Sequence, residues 1–187
     1  MRGLLLTLFM SSLALGQKGP VTVVIETGMG NIEAEIDTVH APITGENFLK
    51  YVDSGAFDGG RFFRTVKLDN QPDNEVKIQV IQASTARGST RFPPIPLERT
   101  SVTGLSHKDG VLSMARSGPD TATSSFSICI DDQPSMDFGG KRQPDGQGFA
   151  VFGKVVKGMD VARKIQASPA EGQNLTPPIQ ILKIHRK

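Results

Sequence analysis

Two hydrophobic periods alternate along this chain. Val21-Thr22-Val23-Val24-Ile25-Glu26 is dense in β-branched residues, Thr27-Gly28-Met29-Gly30 supplies a turn, and Asn31-Ile32-Glu33-Ala34-Glu35-Ile36-Asp37 alternates polar and apolar positions. A period of two on the far side of a glycine turn predicts a half-buried hairpin. The Gly-x-Gly in that turn is no dinucleotide loop, because no helix opens after it. From Pro42 to Val52 the period lengthens, so that Ile43, Phe48, Leu49 and Val52 share one face of a helix that Gly55 stops. Strand patterns return at Arg61–Val66 and Val76–Ala83, separated by a polar loop, Lys67–Glu75, that contains Pro72. Phe92-Pro93-Pro94-Ile95-Pro96 fits neither sheet nor helix and predicts an extended connection. Further strands are expected at Val111–Ala115, Phe126–Ile130, Ala150–Val156 and Pro178–Ile184. A second short helix is expected over Gly158–Ala167, with Met159, Val161, Ala162 and Ile165 on its apolar side.

About seven or eight strands with two helices left over are too many for a flat open sheet. The pattern predicts a mainly β fold, a closed antiparallel β-barrel with a helix over each end. With 187 residues and no internal repeat, one domain is the expectation.

Charge and cysteine content narrow the function classes. Twenty-one basic against 19 acidic residues leave a net charge of +2 with no block of like charges. Neither a nucleic-acid footprint nor a polybasic membrane patch is indicated. A single cysteine, Cys129, excludes an intramolecular disulfide and a cysteine-based metal cluster; in its apolar strand it reads as a small buried hydrophobe. His40, His107 and His185 lack ligand spacing and read as surface residues, so no metal is expected. Asp131-Asp132 and Asp137 do not fit a calcium-loop spacing and read as a solvated loop.

The N-terminus speaks to location. Met1-Arg2 precedes an apolar run with small residues at Ala14 and Gly16, the layout of a secretory signal peptide spanning residues 1–16, which leaves 17–187 as the working domain. The run is shorter than the ~20 residues a bilayer demands, so no stable membrane insertion is expected. The expected location is exported, periplasmic or secreted.

Several motifs carry a specific resemblance. Phe62-Phe63-Arg64 resembles an F-H-R motif, and Gln79-Val80-Ile81-Gln82 resembles F-M-x-Q. Leu112-Ser113-Met114-Ala115-Arg116 resembles L-S-M-A-N/R, and Gly118-Pro119 through Ser124-Ser125-Phe126-Ser127-Ile128 resembles G-P-x-T/S-x-x-S-Q-F-F-I. Val151-Phe152-Gly153-Lys154-Val155 followed by Gly158-Met159-Asp160-Val161 completes the set. Together they are similar to the cyclophilins, the cyclophilin-type peptidyl-prolyl cis-trans isomerases, over almost the whole of 21–184. The resemblance implies an eight-stranded barrel with two capping helices and a monomer. It implies proline-containing polypeptides as partners and no cofactor.

That family's chemistry makes physical demands that single residues can be matched to. X-Pro amides interconvert slowly because resonance sets a barrier of about 18–20 kcal/mol. A catalyst must hold the ring, exclude water and favour the twisted amide, whose prolyl nitrogen gains a lone pair that a fixed cation can hydrogen-bond. By resemblance Arg64 is that cation, because guanidinium stays charged and presents rigid donors. Gln82 orients it, Val80 lines the proline pocket, and Ala115 and Arg116 meet the peptide main chain. Gln79, Ser125, Ser127 and Phe149 fill the remaining substrate-binding positions.

The departures from the family gather at those positions. Gln79 and Ser127 stand where the family has phenylalanines, Ser125 where it has glutamine, and Ser135 where many eukaryotic members have tryptophan. Phe149 preserves an aromatic wall. Each lost aromatic removes roughly 1.5–3 kcal/mol of burial. Two expectations follow: a prolyl isomerase of reduced rate that retains Arg64, or a proline-peptide binding module or holdase whose pocket has eroded. Weak cyclosporin binding is expected in either case.

Overall fold

The computed structural model describes residues 19–187; the expected export segment, 1–16, lies outside the described residues. Strands β1 (Val21–Thr27) and β2 (Gly30–Ile36) form the expected hairpin, in register from Val21 opposite Ile36 to Thr27 opposite Gly30. Helix α1 (Pro42–Asp53) and strand β3 (Arg61–Val66) follow, then β4 (Val80–Ser84) and a one-turn helix α2 (Thr100–Thr103). Next come β5 (Val111–Met114), β6 (Phe126–Cys129), a 3₁₀ turn at Pro134–Met136, and β7 (Ala150–Lys157). Helix α3 (Met159–Ala167), a two-residue β8 (Ala170–Glu171) and the long β9 (Asn174–Arg186) complete the chain.

The strands run β1-β2-β7-β5-β6-β4-β3-β9, every pair antiparallel, and β9 returns to β1 to close an eight-stranded barrel. Closure leaves no free sheet edge in the ring; β8 adds only a short appendage to β9. Alternation fills the interior: Ile25, Ile32, Ile36, Ile81, Leu112 and Ile128 are all fully buried. Phe48 of α1 closes one end, its ring 5.2 Å from both Phe126 and Phe152 and 5.3 Å from Phe57. At the other end α3 buries Val161, Ala162 and Ile165. Gly158 leads into α3 at φ +91°, where a Cβ would strike the Asn31 carbonyl of β2, so only glycine lets the helix fold back this tightly.

Four details depart from the expected pattern. Ile43 is 43% exposed rather than packed on the barrel, because Phe48, Leu49 and Val52 already define the buried face of α1. In place of a side-chain cap, the start of α1 is held by Glu98, whose carboxylate accepts from the Ile43 and Thr44 amides at 3.0 and 2.7 Å. Strand β4 begins at Val80, not Val76. Finally, α2, the 3₁₀ turn and β8 are too short for periodicity to reveal.

Candidate functional site

The cleft lies on the outer face of the barrel wall, and strand alternation puts it there. On β4, Ile81 and Ala83 point inward to the core, which turns Val80 and Gln82 outward. On β6, Phe126 and Ile128 point inward and Ser127 outward. Ser127 sits directly between Gln82 on β4 and Ser113 on β5. The pairing of β3 with β4 shifts register between Phe62 and Arg64, a bulge that buries Phe62 and brings Arg64 opposite Gln82.

Arg64 is held by neutral acceptors. Its Nη1 donates to Gln82 Oε1 at 3.1 Å, while Nε donates to Gln173 Oε1 at 2.9 Å and Nη2 donates to the same oxygen. Gln82 in turn donates to Ser125 Oγ at 3.2 Å, and Ser125 donates to the Ala83 carbonyl at 2.7 Å. Gln173 donates to the Asn70 carbonyl at 3.1 Å. Burial lowers the Arg64 pKa from the ordinary arginine value, yet guanidinium remains charged at any working pH.

Around Arg64 opens a cavity of about 370 Å³. It brings together seven of the residues matched from sequence: Arg64, Val80, Gln82, Ala115, Arg116, Ser127 and Phe149. Its apolar side is a small satellite cluster outside the barrel, in which Val66, Ile78, Val80, Cys129 and Met136 are buried and Phe149 packs against them. Arg116 braces the Phe149 wall. Its guanidinium lies 5.3 Å from that ring's centre, donates to the Gly148 carbonyl at 2.7 Å, and grips Asp145 with two bonds of 2.7 and 2.8 Å. That grip lowers the Asp145 carboxyl to about 2.

Two matched residues lie outside the cavity lining. Ser125 sits one step behind it, orienting Gln82. Gln79 has the opposite strand parity from Val80, so its amide donates to Asp131 at 3.1 Å, beside α3. Phe62 does not refill the space where the family carries phenylalanine; it is fully buried in the barrel. Ile78, Met136 and Phe149 supply the apolar surface instead.

His107 corrects the sequence reading, for it is buried rather than at the surface. Its Nδ1 lies 2.6 Å from Asp137 Oδ1 and its Nε2 2.8 Å from Ser113 Oγ. The spacing resembles a nucleophile and base, but Ser113 is 1% exposed within a strand, so the chain of bonds clamps the 3₁₀ turn to β5. Asp137 is therefore bonded within the fold, not solvated, and Asp131 and Asp132 form ion pairs with Arg163 and Lys108.

Residues with no local signal also shape the site. Gln173 lies in the turn between β8 and β9, and Arg142 in the Gly139–Gly148 loop. Both reach Arg64's neighbourhood only through tertiary folding. A larger groove of about 850 Å³ between α1 and the Phe92–Ile95 connection shares no lining residue with the cleft.

Comparison with known proteins agrees with this architecture. The profile described as "Cyclophilin type peptidyl-prolyl cis-trans isomerase/CLD" matches residues 22–186. The chain is 39% identical over 156 residues to peptidyl-prolyl cis-trans isomerase A of Dickeya dadantii, covering 83% of this chain and 75% of that one. It is 35% identical over 165 residues to a peptidyl-prolyl cis-trans isomerase of Acinetobacter baylyi, covering 87% and 81%. The fold matches a crystal structure of a Cryptosporidium parvum cyclophilin-type isomerase with a TM-score of 0.69 at 21% identity, covering 90% and 98%. A second structure of that parasite protein, determined in the presence of the dipeptide Ala-Pro, matches with a TM-score of 0.66.

Proposed function

The chain belongs to the cyclophilin-type peptidyl-prolyl cis-trans isomerases, and from that premise we propose that the cleft around Arg64 accelerates rotation about X-Pro bonds in exported polypeptides. One observation carries the assignment of the site. A half-buried guanidinium, fixed by Gln82 and Gln173 with no carboxylate partner among the described residues, borders the apolar surface of Ile78, Val80, Met136 and Phe149 in a cavity of about 370 Å³. Five N–H groups on Arg64 leave donors unspent after the contacts to Gln82 and Gln173. Such a donor stabilises the prolyl nitrogen only as its lone pair localises in the twisted amide, so it lowers the barrier rather than tightening the ground state. Val80, Met136 and Phe149 hold the ring and exclude water. The main chain at Ala115 and Arg116 is the partner for the substrate backbone.

Exchange spectroscopy on short X-Pro peptides tests this. Wild-type protein is expected to accelerate cis-trans exchange, and Arg64→Ala to abolish the acceleration; unchanged catalysis in the variant overturns the assignment. The polar floor at Ser127, 7% exposed, favours a second reading, a proline-peptide binder with an eroded pocket. Ser127→Phe restores an aromatic floor and is expected to strengthen peptide binding about tenfold. A wild type that already turns over well excludes the binder, whereas turnover that rises from near zero in Ser127→Phe supports it.

The export context rests on the sequence of residues 1–16. N-terminal sequencing of protein recovered outside the cytoplasm is expected to begin near Gln17. A chain retained in the cytoplasm with Met1 intact contradicts it.

A further inference from the structure

The cleft holds a second guanidinium that the isomerase chemistry does not use. Arg142 lines the same cavity as Arg64, carried there by the Gly139–Gly148 loop. Its three contacts all go through Nη1: to Gln71 Oε1 at 3.0 Å, Asn74 Oδ1 at 3.0 Å and the Val76 carbonyl at 2.8 Å. Every one of these acceptors is neutral. The Nε–Nη2 edge, the side of a guanidinium that grips a carboxylate with two parallel bonds, has no acceptor among the described residues.

The third arginine of the cavity makes the contrast. Arg116 spends its donors on Asp145 and the Gly148 carbonyl, so its charge is answered within the fold. Arg64 and Arg142 have no carboxylate partner among the described residues. Burial first, and then the neighbouring Arg64 charge, lower the Arg142 pKa.

The Lys67–Glu75 loop builds this arrangement. Gln71 is 1% exposed, and its amide nitrogen donates to the Lys67 and Ile78 carbonyls at 2.7 Å each, which fixes the oxygen that receives Arg142. Asn70 of the same loop donates to the Thr65 and Gly172 carbonyls, and its own carbonyl receives Gln173, the residue that holds Arg64. One loop therefore positions both unneutralised cations. Holding two like charges at one cleft is unfavourable unless an anion joins them when the site is filled.

We propose that Arg142 forms an anion subsite beside the proline pocket, selecting substrates that carry an Asp or Glu side chain close to the X-Pro bond. The subsite rests on the isomerase reading for its position but not for its test. The Nε–Nη2 edge of Arg142 receives the carboxylate, and the Arg64 charge adds long-range attraction without giving up its contacts to Gln82 and Gln173.

The experiment compares four peptides that differ only in one residue flanking the X-Pro pair, Glu, its isostere Gln, phosphoserine or Lys. Dissociation constants from NMR titration and catalysed exchange are measured at low and high salt. Wild-type protein is expected to favour Glu over Gln by about tenfold at low salt, with the ratio shrinking as salt is raised. Arg142→Gln brings the ratio to unity, Arg142→Lys retains part of it, and Arg142→Glu inverts it in favour of a Lys peptide. A ratio of one in the wild type overturns the subsite even when exchange is catalysed. A Glu preference in binding without any catalysed exchange supports the subsite while refuting the isomerase reading. Preference for phosphoserine with Glu and Gln equal overturns the carboxylate assignment.

Discussion

Arg64 owes its orientation to a residue 109 positions away, since Gln173 accepts from both Nε and Nη2. At the residue scale Gln173 is thus, in the proposed reaction, a positioning residue that acts through the guanidinium. Gln173→Ala is expected to lower kcat/KM by about tenfold, mostly in kcat, because a loosened donor misses the twisted amide more often than it loosens the bound peptide. The Arg64 Nε–H resonance should shift and broaden in the same variant, a change that general destabilisation does not produce. Gln173→Glu keeps an acceptor for Arg64 but gives up the donor to the Asn70 carbonyl, so it is expected to sharpen the resonance only in part. Arg64 and Gln82 are legible from the motifs around them, and the parity of β4 predicts that they face one way with Val80. By the same alternation Gln79, one residue before Val80, is turned toward α3 and Asp131.

At the scale of elements, the late start of β4 is the informative departure. Val76–Gln79 has the apolar alternation of a strand, but the backbone at Ile78 is taken by a side chain: Gln71 Oε1 accepts from the Ile78 amide at 3.3 Å and Gln71 Nε2 donates to its carbonyl. A buried glutamine thereby substitutes for a sheet partner and bends the chain away to make the cleft rim. Gln71→Ala takes the side-chain partner from both the amide and the carbonyl of buried Ile78 and is expected to cost about 2 kcal/mol in chemical denaturation. It also frees one anchor of Arg142. Periodicity could not foresee this, because a side-chain-to-backbone substitution depends on where a loop residue lands rather than on the strand's own pattern.

For the whole molecule, carboxylates gripped by cations around the barrel set how stability depends on pH. Arg186 at the end of β9 grips Asp53 at the end of α1 with bonds of 2.8 and 2.7 Å, and its hydrogen bonds lower the Asp53 carboxyl. Asp132 is lowered by Lys108, and Asp145, lowered to about 2, by Arg116. A carboxyl whose folded pKa is depressed contributes stability that is present above its unfolded value, about 3.9, and is lost as pH falls through the folded value. The protein is therefore expected to hold its denaturation midpoint from neutral pH down to about 4 and to lose stability between about 4 and 2. Asp145→Asn should flatten part of that fall. These carboxylates are at or near the surface, so each contributes modestly, and the slope rather than any single pair is the measurable quantity.

The chain's own pattern was enough for the barrel and the two main helices, and its motifs singled out Arg64 and Gln82, which the fold places side by side, because alternation, helical period and local motifs are properties of neighbours in sequence. The motifs at Phe62–Arg64 and Leu112–Arg116 are likewise local, and a single cysteine already excluded an intramolecular disulfide. Tertiary structure alone decided which strand face became the cleft, that His107 is buried against Asp137 and Ser113, and that Ile78, Met136 and Phe149 provide the apolar wall. It also decided that Gln173 and Arg142 meet the same cavity as Arg64. Those outcomes depend on contacts between residues tens of positions apart, and a linear pattern carries no information about which distant loops a closed barrel will bring to one face.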